Sequence, residues 1–192
     1  MPEFDRAAFA FLSTRRSHPA KLFAGPVPDR AALEPILQAA LRVPDHGKLE
    51  PWRMIVLGRK ALIRLADLAE ARGRALGGDA VMIGKGRGQY DLSQLAVVVI
   101  SSPKASDKVP VSEQVQSASA LCMGLVNAGE AAGWGANWLS GWPVYDRGFI
   151  EAGFQCTPAE TVAGIVHIGT AGADGPDRPR PDLSQVVAWV DQ

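Results

Sequence analysis

Leu95-Ala96-Val97-Val98-Val99-Ile100-Ser101 carries no polar side chain before its final serine. A strand with one face in water would alternate. This run does not, which predicts a strand buried on both faces at the centre of a sheet. Working outward, Trp52 to Leu57 reads as a strand after the Glu50-Pro51 turn, and Gly135 to Leu139 and Thr161 to Gly169 read as two more. Helical spacing covers Phe4 to Thr14, where Phe4, Ala8, Phe11 and Leu12 share a face. A second helix, capped by Asp29, carries the stripe Leu33, Ile36, Leu37, Ala40 and Leu41. Pro35 should bend its early turns and Val43, before Pro44, should stop it. Further helices are expected at Leu62 to Arg74, closed by Gly77-Gly78, at the Ala-, Ser- and Gly-rich stretch Ser112 to Ala132, and around Tyr145 to Ala152. Asp79 to Asp91 reads as a flexible glycine-rich loop. Ala171 to Pro181 reads as an extended arm before a short amphipathic end at Val186 to Val190.

The 192 residues suit one domain, with no internal repeat and no linker. Twenty basic residues balance twenty acidic ones, so no summed field draws the whole protein to nucleic acid or to an anionic membrane. Any anion site must be local. The longest apolar run, Leu95 to Ile100, is too short to cross a bilayer, and the Met-Pro-Glu-Phe-Asp start lacks a secretory pattern. Cys122 and Cys156 stand in unlike contexts without metal-ligand spacing, so a reducing, cytoplasmic location is expected.

Three short constellations can carry chemistry. Arg15-Arg16-Ser17 places two guanidinium forks and a hydroxyl just after a helix. Such groups suit a phosphate, although the same pattern also serves as a solvated helix end complementing the macrodipole. Arg42-Val43-Pro44-Asp45-His46, followed by Pro51-Trp52, crowds donors and an imidazole into a helix-to-strand passage. There Asp45 can equally cap a turn, with His46 an ordinary surface residue. Gly133 to Trp142 brackets a short strand with three tryptophans and small residues, a surface that can line a flat aromatic ligand or simply pack a core. The scattered histidines argue against a metal, and Cys122, inside an apolar helix, reads as an inert thiol. Gly84-Lys85-Gly86-Arg87-Gly88 lacks the strand-to-helix context of a phosphate cradle.

Taken in order, these constellations resemble the nitroreductase family, especially its compact YdjA-like subgroup, from about Phe9 to Gly169. The likeness rests on Arg15 to Ser17, on Arg42 to His46 with Pro51-Trp52, on Lys108 to Gln114, and on Trp138 to Gly141. The resemblance implies an α+β fold with a central, mainly antiparallel sheet flanked by helices, in an intertwined homodimer with FMN at the subunit interface. Arg15, Arg16 and Ser17 would bind FMN from one chain together with Trp138, Leu139 and Ser140. Arg42 and His46 would come from the other chain, and Ala128 to Gly133 would meet the nicotinamide. The implied activity is reduction of nitro-aromatic, quinone or related small-molecule acceptors by NAD(P)H through the flavin, with no side-chain nucleophile.

This chain departs from the pattern at Leu139, where the subgroup usually has arginine, and at Lys48 and Glu50, where the broader family has Asn and Gln before Pro-Trp. Arg180 is the candidate replacement for the cation missing at Leu139. Two other readings stay open on the sequence: a flavin-binding store or sensor without NAD(P)H turnover, and a dimeric interaction domain whose Trp-rich strand is interfacial core.

Overall fold

The computed structural model describes residues 3–172 and 178–191. Its sheet contains β1 (Trp52–Gly58), β2 (Leu95–Ser101), β3 (Gly135–Leu139) and β4 (Thr161–Gly169). Their order is β1-β2-β4-β3, and every neighbouring pair is antiparallel. All seven residues of β2 are buried, as the uninterrupted apolar run requires. Its side chains alternate between two cores. Ala96, Val98 and Ile100 pack with Leu62, Leu65, Tyr90 and Phe149 on one face, and Val97 and Val99 pack with Leu33, Ile36, Leu121 and Leu125 on the other. The architecture is therefore α+β, an antiparallel sheet flanked by helices.

Helices α1 (Arg6–Thr14), α2 (Arg30–Ala40), α3 (Arg59–Ala75), α4 (Ala80–Asp91), α5 (Val111–Ala131), α6 (Arg147–Phe154) and α7 (Leu183–Val186) surround the sheet. Asp29 caps α2 through its carboxylate to the Ala32 N–H at 2.9 Å. The helix runs through Pro35 and ends at Ala40, short of the expected stop at Val43. The small residues of α5 permit close approach: a Cβ on Gly124 would lie 2.8 Å from the Ala40 carbonyl oxygen.

Three expectations are corrected. Asp79 to Asp91 is not a loop; Ala80–Asp91 is helix α4, capped by the Asp79 carboxylate on the Met82 N–H at 2.7 Å. Glycine costs a helix about 1 kcal/mol per residue. Side-chain contacts offset that cost: Arg87 pairs with Asp67 and Glu70 of α3 at 2.8 and 2.9 Å and with Asp91 of its own helix at 2.7 Å, and Gly86 packs against Trp142. Helix α1 begins after Phe4, and its apolar face is uncovered within one chain, with no buried residue and with Phe9 and Leu12 exposed. The end at Val186 to Val190 is one helical turn, Leu183–Val186, followed by irregular chain in which Trp189 is 87% exposed. Of the arm expected at Ala171 to Pro181, positions 173–177 lie outside the described residues, and Arg178 to Pro181 carry no regular structure.

Candidate functional site

Helix α1 ends at Thr14, and the chain turns into extended conformation at Arg15, with φ −53° and ψ 145°. Arg15, Arg16 and Ser17 thereby run beside β3, held there by Asn137, whose side-chain amide donates to the His18 carbonyl. The arm from the far end of the chain returns to the same place, where the Arg180 guanidinium donates to the Ser13 carbonyl at 2.8 Å. Together these segments enclose a cavity of about 610 Å³. Arg15, Arg16, Ser17, Trp138, Leu139 and Arg180, six residues singled out in the sequence, line it, joined by Arg178, which was not.

A second cavity of about 440 Å³ shares Asn137 and Leu139 with the first and takes in Ser140. Its character differs. Ala20, Leu92 and Leu139 give it apolar walls, Lys21 and Lys85 add two ammonium groups, and Gln89 borders it. The Gln89 Nε2 is buried and has no hydrogen-bond partner among the described residues, so it is a donor without an acceptor at the cavity edge. On the opposite face of β3, Trp138 packs over Gly164, where a Cβ would collide with the indole nitrogen.

Arg42 and His46 lie apart from both cavities, on an exposed loop docked along α5. His46 Nδ1 meets the Glu113 carboxylate at 2.8 Å, and Ser117 accepts from the Trp52 indole at 3.0 Å while donating to the Pro44 carbonyl at 2.6 Å. The Asp45 carboxylate accepts from the N–H groups of Leu49 and Glu50, the turn-capping role open to it from sequence. At 1.5 Å of rise per residue, Glu113 lies roughly 15 Å along α5 from Met123, which borders the larger cavity. One chain does not bring Arg42 and His46 to its own arginine cluster.

The family profile described as Nitroreductase matches residues 12–170. The chain belongs to the nitroreductase family. Escherichia coli K12 YdjA, whose name carries a provisional assignment as an NAD(P)H nitroreductase, is 31% identical over 163 residues, covering 85% of this chain and 87% of that protein. Among solved structures, a nitroreductase-like family protein from Bacillus cereus superposes with a TM-score of 0.76 at 21% identity, over the full length of both chains. A nitroreductase-family structure from Desulfovibrio desulfuricans, determined in complex with FMN, gives 0.74 at 18% identity over 96% of each chain. At these identities the two structures speak to the fold.

Within this nitroreductase-family chain, several site residues escaped the sequence reading. Glu130, in the stretch Ala128 to Gly133, forms a two-point ion pair with Arg15, Nε to Oε2 at 2.6 Å and Nη2 to Oε1 at 3.2 Å. Arg15 Nη2 also donates to the Ser17 hydroxyl at 2.9 Å. The Arg15 fork is thus partly engaged within the protein. Nothing in local sequence marks Glu130 as the partner of Arg15, from which it stands 115 positions away. Lys21 and Lys85 were equally hidden, because the fold of α4 decides where Lys85 lies. Burial pushes the Cys122 thiol up to about 12, so it is a protonated, packed group at neutral pH. Among the described residues no helix is long and apolar enough to cross a membrane.

Proposed function

We propose that the chain is an FMN-dependent oxidoreductase that works as a homodimer and uses NAD(P)H to reduce nitro-aromatic, quinone or related small acceptors. The observation that carries this reading is the larger cavity, where Arg15, Arg16, Ser17, Trp138, Leu139 and Arg180 converge from three distant parts of one chain. Family membership and the FMN-bound relative of the same fold support it.

The residues present fit the cofactor. The two neighbouring cavities are of the size that accommodates cofactors, and their chemistry is divided as FMN requires. The arginine-lined cavity suits a phosphate, because guanidinium-phosphate hydrogen bonds are charge-assisted. The more apolar one, with Lys21, Lys85 and a Gln89 amide nitrogen that lacks a partner among the described residues, suits a flat ring with a polar edge. Leu139 and Ala20 would exclude water from such a ring, and the two ammonium groups would stabilise negative charge gained on reduction. When bound, FMN supplies the hydride and electron transfer itself. Arg180 would stand in for the cation absent at Leu139. Arg42 and His46, out of reach of their own chain's cavity, would complete the partner's site. The uncovered apolar face of α1 and the exposed Leu183, Val186 and Trp189 would be buried in that dimer. The chain would act as one domain in the cytoplasm.

The purified protein should show an oxidised-flavin spectrum, alone or after adding FMN, that bleaches when mixed with NADH or NADPH and recovers with a quinone or nitro-aromatic acceptor. A spectrum that persists with both nucleotides would leave a flavin store or sensor. A colourless protein indifferent to FMN would end the flavin reading.

A further inference from the structure

Charge at the arginine-lined cavity is not the sum of its arginines. Arg15 is pinned by Glu130 through Nε and Nη2, and by Ser17 through Nη2, so these bonds engage two of the three guanidinium nitrogens. Nη1 makes none of these bonds. The pair is sheltered, with the Arg15 and Glu130 side chains only 17% and 8% exposed. In such a setting the carboxylate cancels most of the guanidinium's field, and solvent screens little of that cancellation. Glu130 belongs to the last turns of α5, Arg15 follows α1, and the ion pair sets where the arginine head sits on the cavity wall.

We infer that Glu130 is a positioning residue that sets phosphate affinity: it orients Arg15 toward the cavity while removing its net charge, so the site gains a directed donor without gaining a full cation. This rests on the flavin reading above. The ligand chemistry concerned is a phosphate monoester dianion. Neutralising Glu130 while keeping its shape restores the charge of Arg15. The protein without ligand then carries a sheltered arginine lacking its counter-ion, a state that a bound phosphate relieves.

The test measures binding of FMN and of riboflavin, which lacks the phosphate, to the full-length wild type, Glu130→Gln, and Arg15→Gln with Glu130→Gln. In about 20 mM salt, Glu130→Gln should bind FMN about tenfold more tightly than wild type, and the gain should fall below about twofold in about 1 M NaCl. Riboflavin affinity should not change. The double variant, whose pair is again neutral, should return to the salt dependence of wild type. If Glu130→Gln is unfolded without ligand, refolding by FMN or inorganic phosphate but not by riboflavin supports the inference, and refolding by none of them overturns it. Unchanged or weaker FMN binding by a folded Glu130→Gln, or an equal change for riboflavin, also overturns it while the flavin reading stands. Failure of wild type to bind FMN at all overturns both.

Discussion

Trp142 donates its indole N–H to the Met82 carbonyl at 2.8 Å, and its ring fills the space where Gly86 would carry a side chain. This contact explains one glycine of α4, Gly86. A Cβ at Gly86 would come within 2.4 Å of the indole nitrogen, whereas one at Gly84 would meet nothing within 4 Å. Both positions are helical, so alanine improves local propensity equally at each. The substitutions should nevertheless have opposite signs. Gly86→Ala should destabilise by about 1–3 kcal/mol, because a ring held by its own hydrogen bond cannot yield cheaply. Gly84→Ala should stabilise by about 0.5–1 kcal/mol. Urea unfolding of the two variants decides the matter, and equal effects would show that Trp142 does not constrain the helix.

Glu160 is an acid-sensitive fastener between β1 and the turn that leads into β4. Arg53 binds its carboxylate at two points, 2.8 and 3.0 Å, Ser102 donates to it at 2.5 Å, and the Thr157 N–H at 2.9 Å. Hydrogen bonding by Arg53, opposed by burial and aided by Ser102, lowers its pKa to about 2. A carboxyl depressed in the folded state contributes its stability above the unfolded pKa and loses it as pH falls through the folded one. The contribution, on the order of 3 kcal/mol, should therefore be complete above about pH 5 and vanish between about pH 4.5 and pH 2. Urea midpoints measured across that range should drop steeply in wild type and less so in Glu160→Gln. That variant should also be weaker at neutral pH, since it leaves Arg53 without a counter-charge. Parallel pH curves would remove the role assigned to this carboxylate.

The contrast between these elements explains how far sequence reaches. β2 was legible because burial on both faces leaves a local signature, an apolar run without alternation. Helix α4 was not, because one of its glycines, Gly86, answers to a tryptophan that bonds Met82 across 60 positions. The same division runs through the candidate site. Arg15, Arg16 and Ser17 are informative as residue types beside a helix end, and Arg180 stands out against a leucine at 139 where the resemblance expects a cation. Glu130, Lys21 and Lys85 carry no such local mark and become site residues only through the fold. The spacing of Phe4, Ala8, Phe11 and Leu12 predicts an apolar face, but periodicity cannot say whether the same chain or another covers it, and in the fold Phe4 precedes the helix while Leu12 is exposed.

Arg180 offers the sharpest test of the phosphate end. It lines the larger cavity and anchors the C-terminal arm on α1 through the Ser13 carbonyl. If it replaces the cation missing at Leu139, Arg180→Ala should weaken FMN binding about ten- to a hundredfold, the range expected for loss of one charge-assisted contact. Riboflavin binding should be nearly unaffected. Adding Leu139→Arg to that variant should recover much of the FMN affinity, because the guanidinium would return from the neighbouring strand. Equal losses for FMN and riboflavin would instead assign Arg180 to holding the arm.

The separation of Arg42 and His46 from the cavity makes the two-chain site testable without a structure of the dimer. One variant carries alanine at Arg15, Arg16 and Ser17, and the other carries alanine at Arg42 and His46. In a dimer whose sites each draw on both chains, either variant alone has two damaged sites. After mixing, unfolding and reassembly in equal amounts, half of the dimers should be mixed, and each mixed dimer holds one site with both groups intact. About a quarter of all sites should then bind FMN with wild-type affinity. Sites built within single chains would recover nothing, because every chain in the mixture carries one of the two lesions. A mixture that stays as flavin-poor as its components would therefore refute shared sites, provided reassembled wild type recovers fully in parallel.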